Sequence, residues 1–305
     1  MPSGQCPKIA IGSRAGQERF LREYKRFIKE HCRLHELLTK VFIRTLPPPA
    51  EKDVKAIDAL PDSDPGSIAF RNKLNADMVV FYFGRLTVDD FNELFILSGN
   101  GYGFGALKIL RTMYEHVVTA TFIAKNPSEV RAFIEDEAIE RWKLWQRIVS
   151  LDPDMSSRYS EETRNLEANY NEARSKRRET RCSKCGQPKT QEAWTRATLA
   201  DMAKKADPSL ARLYGPCYLE PTFHAHATAY GLGRRLRELA NRVVIFEPGS
   251  QKEGRMALRR GHQLIVGLLG FHNEYFTLGL GREVQERVKM FSEVWEEIIG
   301  KDFQP

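Results

Sequence analysis

The sequence predicts an all-α protein, a multi-helix bundle, on three observations. Apolar residues recur at three- and four-residue spacings through most of the 305-residue chain. Prolines and glycines cluster between these stretches and make a rim of loops. The one persuasive strand is "VVIF" at 243–246, and one strand makes no sheet.

Residues 17–45 place Phe20, Leu21, Tyr24, Phe27, Ile28, Leu34, Leu38, Val41 and Phe42 at helical spacing among charges, which predicts one long amphipathic helix. The prolines of "TLPPPA" stop it, because proline lacks the N–H a helix needs. Residues 46–66 carry five prolines and read as a connector, so the chain divides into 1–64 and a main helical domain at 65–305. Further helices are expected at about 66–84, 87–98, 103–125, 127–150, 159–178, 191–205, 220–241, 253–280 and 282–300. The last is the cleanest, with Val284, Val288, Phe291, Val294, Trp295 and Ile298 on one side. Residues 171–193 break the pattern and read as a basic Cys-x-x-Cys insertion on the end of a charged helix.

Composition narrows the function. Lys and Arg number 47 against 40 Asp and Glu, a net charge of +7 that suits acidic partners such as RNA without requiring them. Five cysteines with a single close pair are no disulfide framework, which makes a reducing cytoplasm the default. The opening "MPSGQCPKIAIGSRAGQ" lacks an apolar signal core, and "LIVGLLGFHNEYF" is interrupted by His272, Asn273 and Glu274, so no membrane span is expected. Phosphate-loop, dinucleotide, Ser-His-Asp, His-Glu-x-x-His and kinase patterns are missing, which removes most metabolic enzyme classes.

The chemistry gathers in "ILRTMYEHVVTATFI", 109–123, an apolar helix that nevertheless carries Arg111, Glu115 and His116. It follows "SGNGYGFGA", whose glycines suit a tight interhelical turn better than an anion-holding loop. Arg111 and Glu115 are four residues apart, about 40° round the axis, so a structural ion pair is one reading. Arg111 and His116 are five apart, about 140° round, so only the long arginine arm would bring them together.

That Arg-x4-His spacing resembles the signature of the HEPN families (higher eukaryotes and prokaryotes nucleotide-binding). The resemblance implies a metal-independent ribonuclease pairing two motifs across a homodimer cleft. His116 would move the proton of a ribose 2′-hydroxyl while Arg111 stabilised charge on the phosphate. Where the HEPN pattern tends to place an amide or acid after the arginine, this chain has Thr112. A second resemblance covers more of the chain. The run 92–145, with Arg111, Glu115, Asn126 and Pro127, and the later "EPTFHAHATAYG", with Thr222 and His224, is similar to an uncharacterised prokaryotic helical family of the domain-of-unknown-function kind, which implies a bacterial protein. This implies a helical fold and no activity. If both helices line one pocket, Arg111, Glu115 and His224 form a polar cluster that either fixes the packing or makes a site.

In the insertion, Arg174, Lys176, Arg177, Arg178 and Arg181 surround Cys182 and Cys185. The cationic run suits nucleic-acid phosphates, although such a run is usually a solvated face. Cys-x-x-Cys followed by glycine is half of a zinc site, which Cys217 and His224 would have to complete at a non-standard spacing; a redox dithiol or two cysteines without a role are the alternatives. Two functions from different classes follow. One is an RNA-directed HEPN-like homodimer, a ribonuclease toxin or defence effector using Arg111 and His116. The other is a non-enzymatic helical scaffold or sensor, locked by Arg111, Glu115 and His224, with or without a structural zinc. Catalysis needs Arg111 and His116 both open to one cleft, whereas a scaffold buries Arg111 against Glu115.

Overall fold

A computed structural model describes residues 14–42, 55, 63–177, 179–181, 188–190, 193–238, 244–246 and 249–300. The protein is an all-α helical bundle. Its helices are α1 (Arg14–Glu23), α2 (Lys25–Phe42), α3 (Pro65–Gly99), α4 (Gly103–Lys125), α5 (Val130–Leu151), α6 (Asp154–Arg158), α7 (Ser160–Ser175), α8 (Leu199–Ala206), α9 (Pro208–Tyr214), α10 (Glu220–Ala225), α11 (Ala229–Gly233), α12 (Gln251–Tyr275) and α13 (Gly281–Gly300). A π-helical turn, Gly215–Leu219, joins α9 to α10.

Several boundaries differ from the sequence expectation, each for a local reason. The helix expected at 17–45 is interrupted at Tyr24, although the bonds from Tyr24 N to Phe20 O and from Ile28 N to Tyr24 O carry its hydrogen bonding through. The expected connector, 46–66, lies outside the described residues apart from Lys55 and its last four positions, of which Pro65 already opens α3. The break expected between 84 and 87 does not exist, since α3 runs unbroken through it. Gly84 is there for packing: a Cβ would sit 2.3 Å from Phe42 Cε1 and 2.5 Å from His272 Nε2. The helix expected at 191–205 forms only from Leu199, and α9 follows it unforeseen, capped by the Asp207 carboxylate, which accepts from Ser209 N at 2.6 Å. The helix expected at 220–241 ends at Ala225, where His226 turns extended. Past α11 the chain forms a ribbon instead, β3 (Leu236–Glu238) against β4 (Val244–Phe246), so the expected strand finds a partner. A second antiparallel ribbon, β1 (Glu179–Arg181) with β2 (Pro188–Thr190), stands where no strand was expected. Ribbons of three-residue strands leave the class all-α.

The chain forms two compact units. One comprises Met1–Pro47, Val80–Phe122 and Ala203–Pro305, and the other Pro48–Val79 and Ile123–Met202. The first is cored by aromatic rings on Phe27: Trp295 lies 5.6 Å and His262 5.3 Å from it, and the Trp295 Nε1–H donates to His262 Nδ1 at 3.1 Å. Helix α12 buries Leu258, Gly261, His262, Ile265, Leu268, Leu269 and His272, a three- and four-residue stripe that fixes which face meets the core. In the second unit, Trp142 of α5 stacks on Tyr170 of α7 at 5.9 Å, and Phe133 meets Trp194 edge to face at 5.1 Å.

Candidate functional site

Helix α4 buries Leu110, Met113, Tyr114, Val117, Val118 and Thr121, which leaves Arg111, Glu115 and His116 on its half-buried flanks. The Arg111 guanidinium reaches Glu115 Oε1 at 3.0 Å and donates from Nε to Thr222 Oγ1 at 3.1 Å and from Nη2 to the Tyr218 hydroxyl at 3.4 Å. Its Cζ also lies 4.9 Å from the Tyr218 ring centroid, a cation–π distance. Thr222 accepts from Arg111 while donating its own hydroxyl to Tyr218 O at 2.6 Å, so both of its hydrogen-bonding roles are satisfied. One turn along α4, the Tyr114 hydroxyl donates to Leu210 O at 2.8 Å, and burial raises that phenol above its ordinary pKa. Arg111 and Tyr114 together fasten the segment 210–222 to α4.

His116 faces elsewhere. Its Nδ1 is 2.8 Å from Asp90 Oδ2 of α3, and its ring packs at 5.2 Å on Phe83. Among the described residues no hydrogen bond, ion pair or ring contact joins His116 to Arg111, as the 140° between them on a helix leads one to expect. His224 does not join Arg111 and Glu115 either. It is buried 5.0 Å from the Phe104 ring, against the first turn of α4, with neither ring nitrogen hydrogen-bonded to any described residue. Burial lowers its pKa, with Arg234 and Arg235 adding to the effect and Glu253 and Glu220 opposing it. Thr222, two residues earlier, is the member of that segment that meets Arg111.

The helices that carry Arg111, Glu115, Thr222 and His224 fall inside one family match. A family model described as "Family of unknown function (DUF5677)" covers residues 77–242, more than half the chain. The chain belongs to DUF5677. Neither a curated protein nor a solved structure matches it. The expectation of an uncharacterised helical family thus holds, and within the DUF5677 region the Arg111–Glu115 pair and Thr222, drawn from separate helices, come together. Tyr218 and Asp90, also in that region, were missed from sequence because nothing in their local pattern marks the partners that folding gives them.

The glycines of the DUF5677 segment before α4 serve close packing. A Cβ on Gly103 would lie 2.0 Å from Ser250 O and 2.3 Å from Gly254 N, and one on Gly249 would lie 2.2 Å from Gly101 O. Gly101 itself has φ +80°, the left-handed region that favours glycine. The start of α12, capped by Ser250, occupies the space that an anion would need.

The basic stretch is partly internal. Arg174 is exposed over the Tyr170 ring, and Lys176 pairs with Glu172 at 2.6 Å and Glu135 at 3.6 Å. Arg177, read from sequence as one of a cationic run for nucleic-acid phosphates or else a solvated face, is buried and paired with Asp136. Arg178, Cys182 and Cys185 lie outside the described residues, and Arg181 is described only as backbone of β1. Cys217 is buried, which pushes its thiol up to about 12 and keeps it protonated at neutral pH. Among the described residues no three His, Cys, Asp or Glu side chains are grouped to hold a metal, and no helix is long and apolar enough to cross a membrane.

Proposed function

We propose that this protein is a non-enzymatic helical scaffold or sensor, in which Arg111 fastens the 210–222 segment to α4. One observation carries the reading. The Arg111 guanidinium is engaged by Glu115, Thr222 and Tyr218, whereas His116 is held by Asp90 on another helix. A catalytic arginine must meet the charge that develops on a transferred phosphate, and one bound to a carboxylate and two hydroxyls is already neutralised and held.

A second reading rests on the Asp90–His116 pair. A carboxylate that fixes one imidazole nitrogen presents the other as a general base, the arrangement an RNA-directed HEPN-like ribonuclease would use across a cytoplasmic homodimer. The two readings part in one assay. Single-stranded RNAs of varied sequence, incubated with purified protein in metal chelator, are expected to stay intact in the presence of wild type and of His116→Ala alike. Cleavage by wild type that His116→Ala abolishes would replace the scaffold with the ribonuclease.

A further inference from the structure

In the unit formed by Pro48–Val79 and Ile123–Met202, a cavity of about 300 Å³ is lined by Arg131, Lys176, Arg177 and Trp194, with Glu129 and Glu135 on its walls. Arg177 is its unusual member. The side chain is 3% exposed, and among the described residues its partner is the Asp136 carboxylate, met through Nη2. Its Nε and Nη1 are buried and have no hydrogen-bond partner among the described residues. A guanidinium carries five N–H donors in a planar fork, and leaving charged donors unpaired in a dry site costs several kcal/mol. The surroundings are dry enough that burial raises the Asp136 carboxyl above its ordinary range even with Arg177 pulling it back. Retaining such an arginine makes physical sense when a ligand brings the missing acceptors.

The acceptor that matches the fork is a planar or tetrahedral oxyanion. Two further cations stand ready at the same cavity: Arg131, 62% exposed and 3.0 Å from Glu135, and Lys176, which shares that carboxylate at 3.6 Å. Both sit in partly exposed pairs, which are worth little and are easily exchanged for a stronger anion. Glu129 and Glu135 oppose a bare anion, so the ligand must neutralise several cations at once, which favours the multiply charged phosphate over a carboxylate. Trp194 offers an aromatic wall beside the cations, where the base of a nucleotide would rest.

We propose that this cavity binds a phosphate group carried by a nucleotide, through Arg177 with Arg131 and Lys176. The proposal goes beyond the scaffold reading and does not depend on the role of Arg111. The test is isothermal titration of the full-length protein with inorganic phosphate, adenosine monophosphate, adenosine and single-stranded oligoadenylate. Adenosine monophosphate is expected to bind and adenosine not to. Arg177→Gln is expected to weaken binding about tenfold or more, the loss of one charge-assisted contact. Because Arg177→Gln also strands Asp136 and threatens folding, Arg131→Gln and Lys176→Gln serve as the second pair. Each should weaken binding severalfold with unchanged melting. Oligoadenylate binding more tightly than the mononucleotide, with the same sensitivity to the three variants, would support the site and name RNA as the source of the phosphate. Inorganic phosphate binding as well as the nucleotide would overturn the role of Trp194 and the nucleotide assignment. No binding of any probe at millimolar concentration, or binding unmoved by the Arg131→Gln and Lys176→Gln variants, would overturn the site and leave water as the partner of Arg177.

Discussion

Acidification from pH 7 towards pH 4 is expected to unfold this protein. Two histidines, His262 and His272, are buried and a third, His31, is half-buried, and burial favours the neutral ring in each: it lowers His31 to about 4, His262 to about 3 and His272 to about 4, from an ordinary 6.5. His35 adds to the effect at His31, and His31 and Arg287 add to it at His262. In the unfolded chain these groups take up protons near their ordinary pKa, whereas the native state resists until pH 3 to 4. Below about pH 6.5 the unfolded state therefore binds more protons, and stability falls as pH falls. Each histidine removes about 1.4 kcal/mol per pH unit until its own native pKa is reached. Three acting together approach the whole stability of a typical domain, about 5–15 kcal/mol, within two or three pH units. Urea midpoints measured at pH 7, 6 and 5 should fall steeply below pH 6.5; a flat profile would mean that these rings are hydrated or already charged in the native state.

Trp295→Ala is expected to cost about 3–5 kcal/mol from the lost side chain and its cavity alone. Trp295 is 2% exposed and is the largest of the fully buried side chains. It touches Phe27 at 5.6 Å and Tyr24 at 6.3 Å between ring centroids, so its removal empties the centre of the aromatic cluster. It also donates to His262 Nδ1, and an acceptor left alone at a buried site adds about 1–3 kcal/mol. Trp295→Phe retains much of the ring and should recover part of the loss. Urea unfolding followed by circular dichroism measures both, and a cost below about 1 kcal/mol for the alanine variant would show that the core is organised elsewhere.

What the sequence disclosed and what it hid divide along contact range. Helices such as α4 and α13 were legible because their apolar stripes and flanking glycines are local. The break expected between 84 and 87 is absent, and the reason for a glycine at 84 is the Phe42 and His272 rings, which only folding brings near. Helix α9 left a readable trace, Asp207 followed by Pro208, the cap and first-turn proline of a helix start, which its short apolar pattern obscured. In the candidate site the Arg111–Glu115 pair was legible from its spacing, while Thr222 and Tyr218 as partners of Arg111, and Asp90 as partner of His116, were not. Arg177 shows the limit of composition. Within a basic run it looks solvated, and its half-buried partner, Asp136, lies on an earlier helix.

A double-mutant cycle between Arg111 and Thr222 tests the central claim that Arg111 fastens the 210–222 segment to α4. Arg111→Ala alone should cost about 2 kcal/mol: the ion pair, two hydrogen bonds and a cation–π contact, reduced by exposure. With 34% of the Glu115 side chain and 24% of that of Arg111 exposed, the loss falls short of the 3–5 kcal/mol that stranding a fully buried charge would bring. Unfolding free energies for wild type, Arg111→Ala, Thr222→Val and the double variant are expected to give a coupling of about 1 kcal/mol. Additive effects, with Arg111→Ala as stable as wild type, would contradict the account and return Arg111 to the pool of residues free for catalysis.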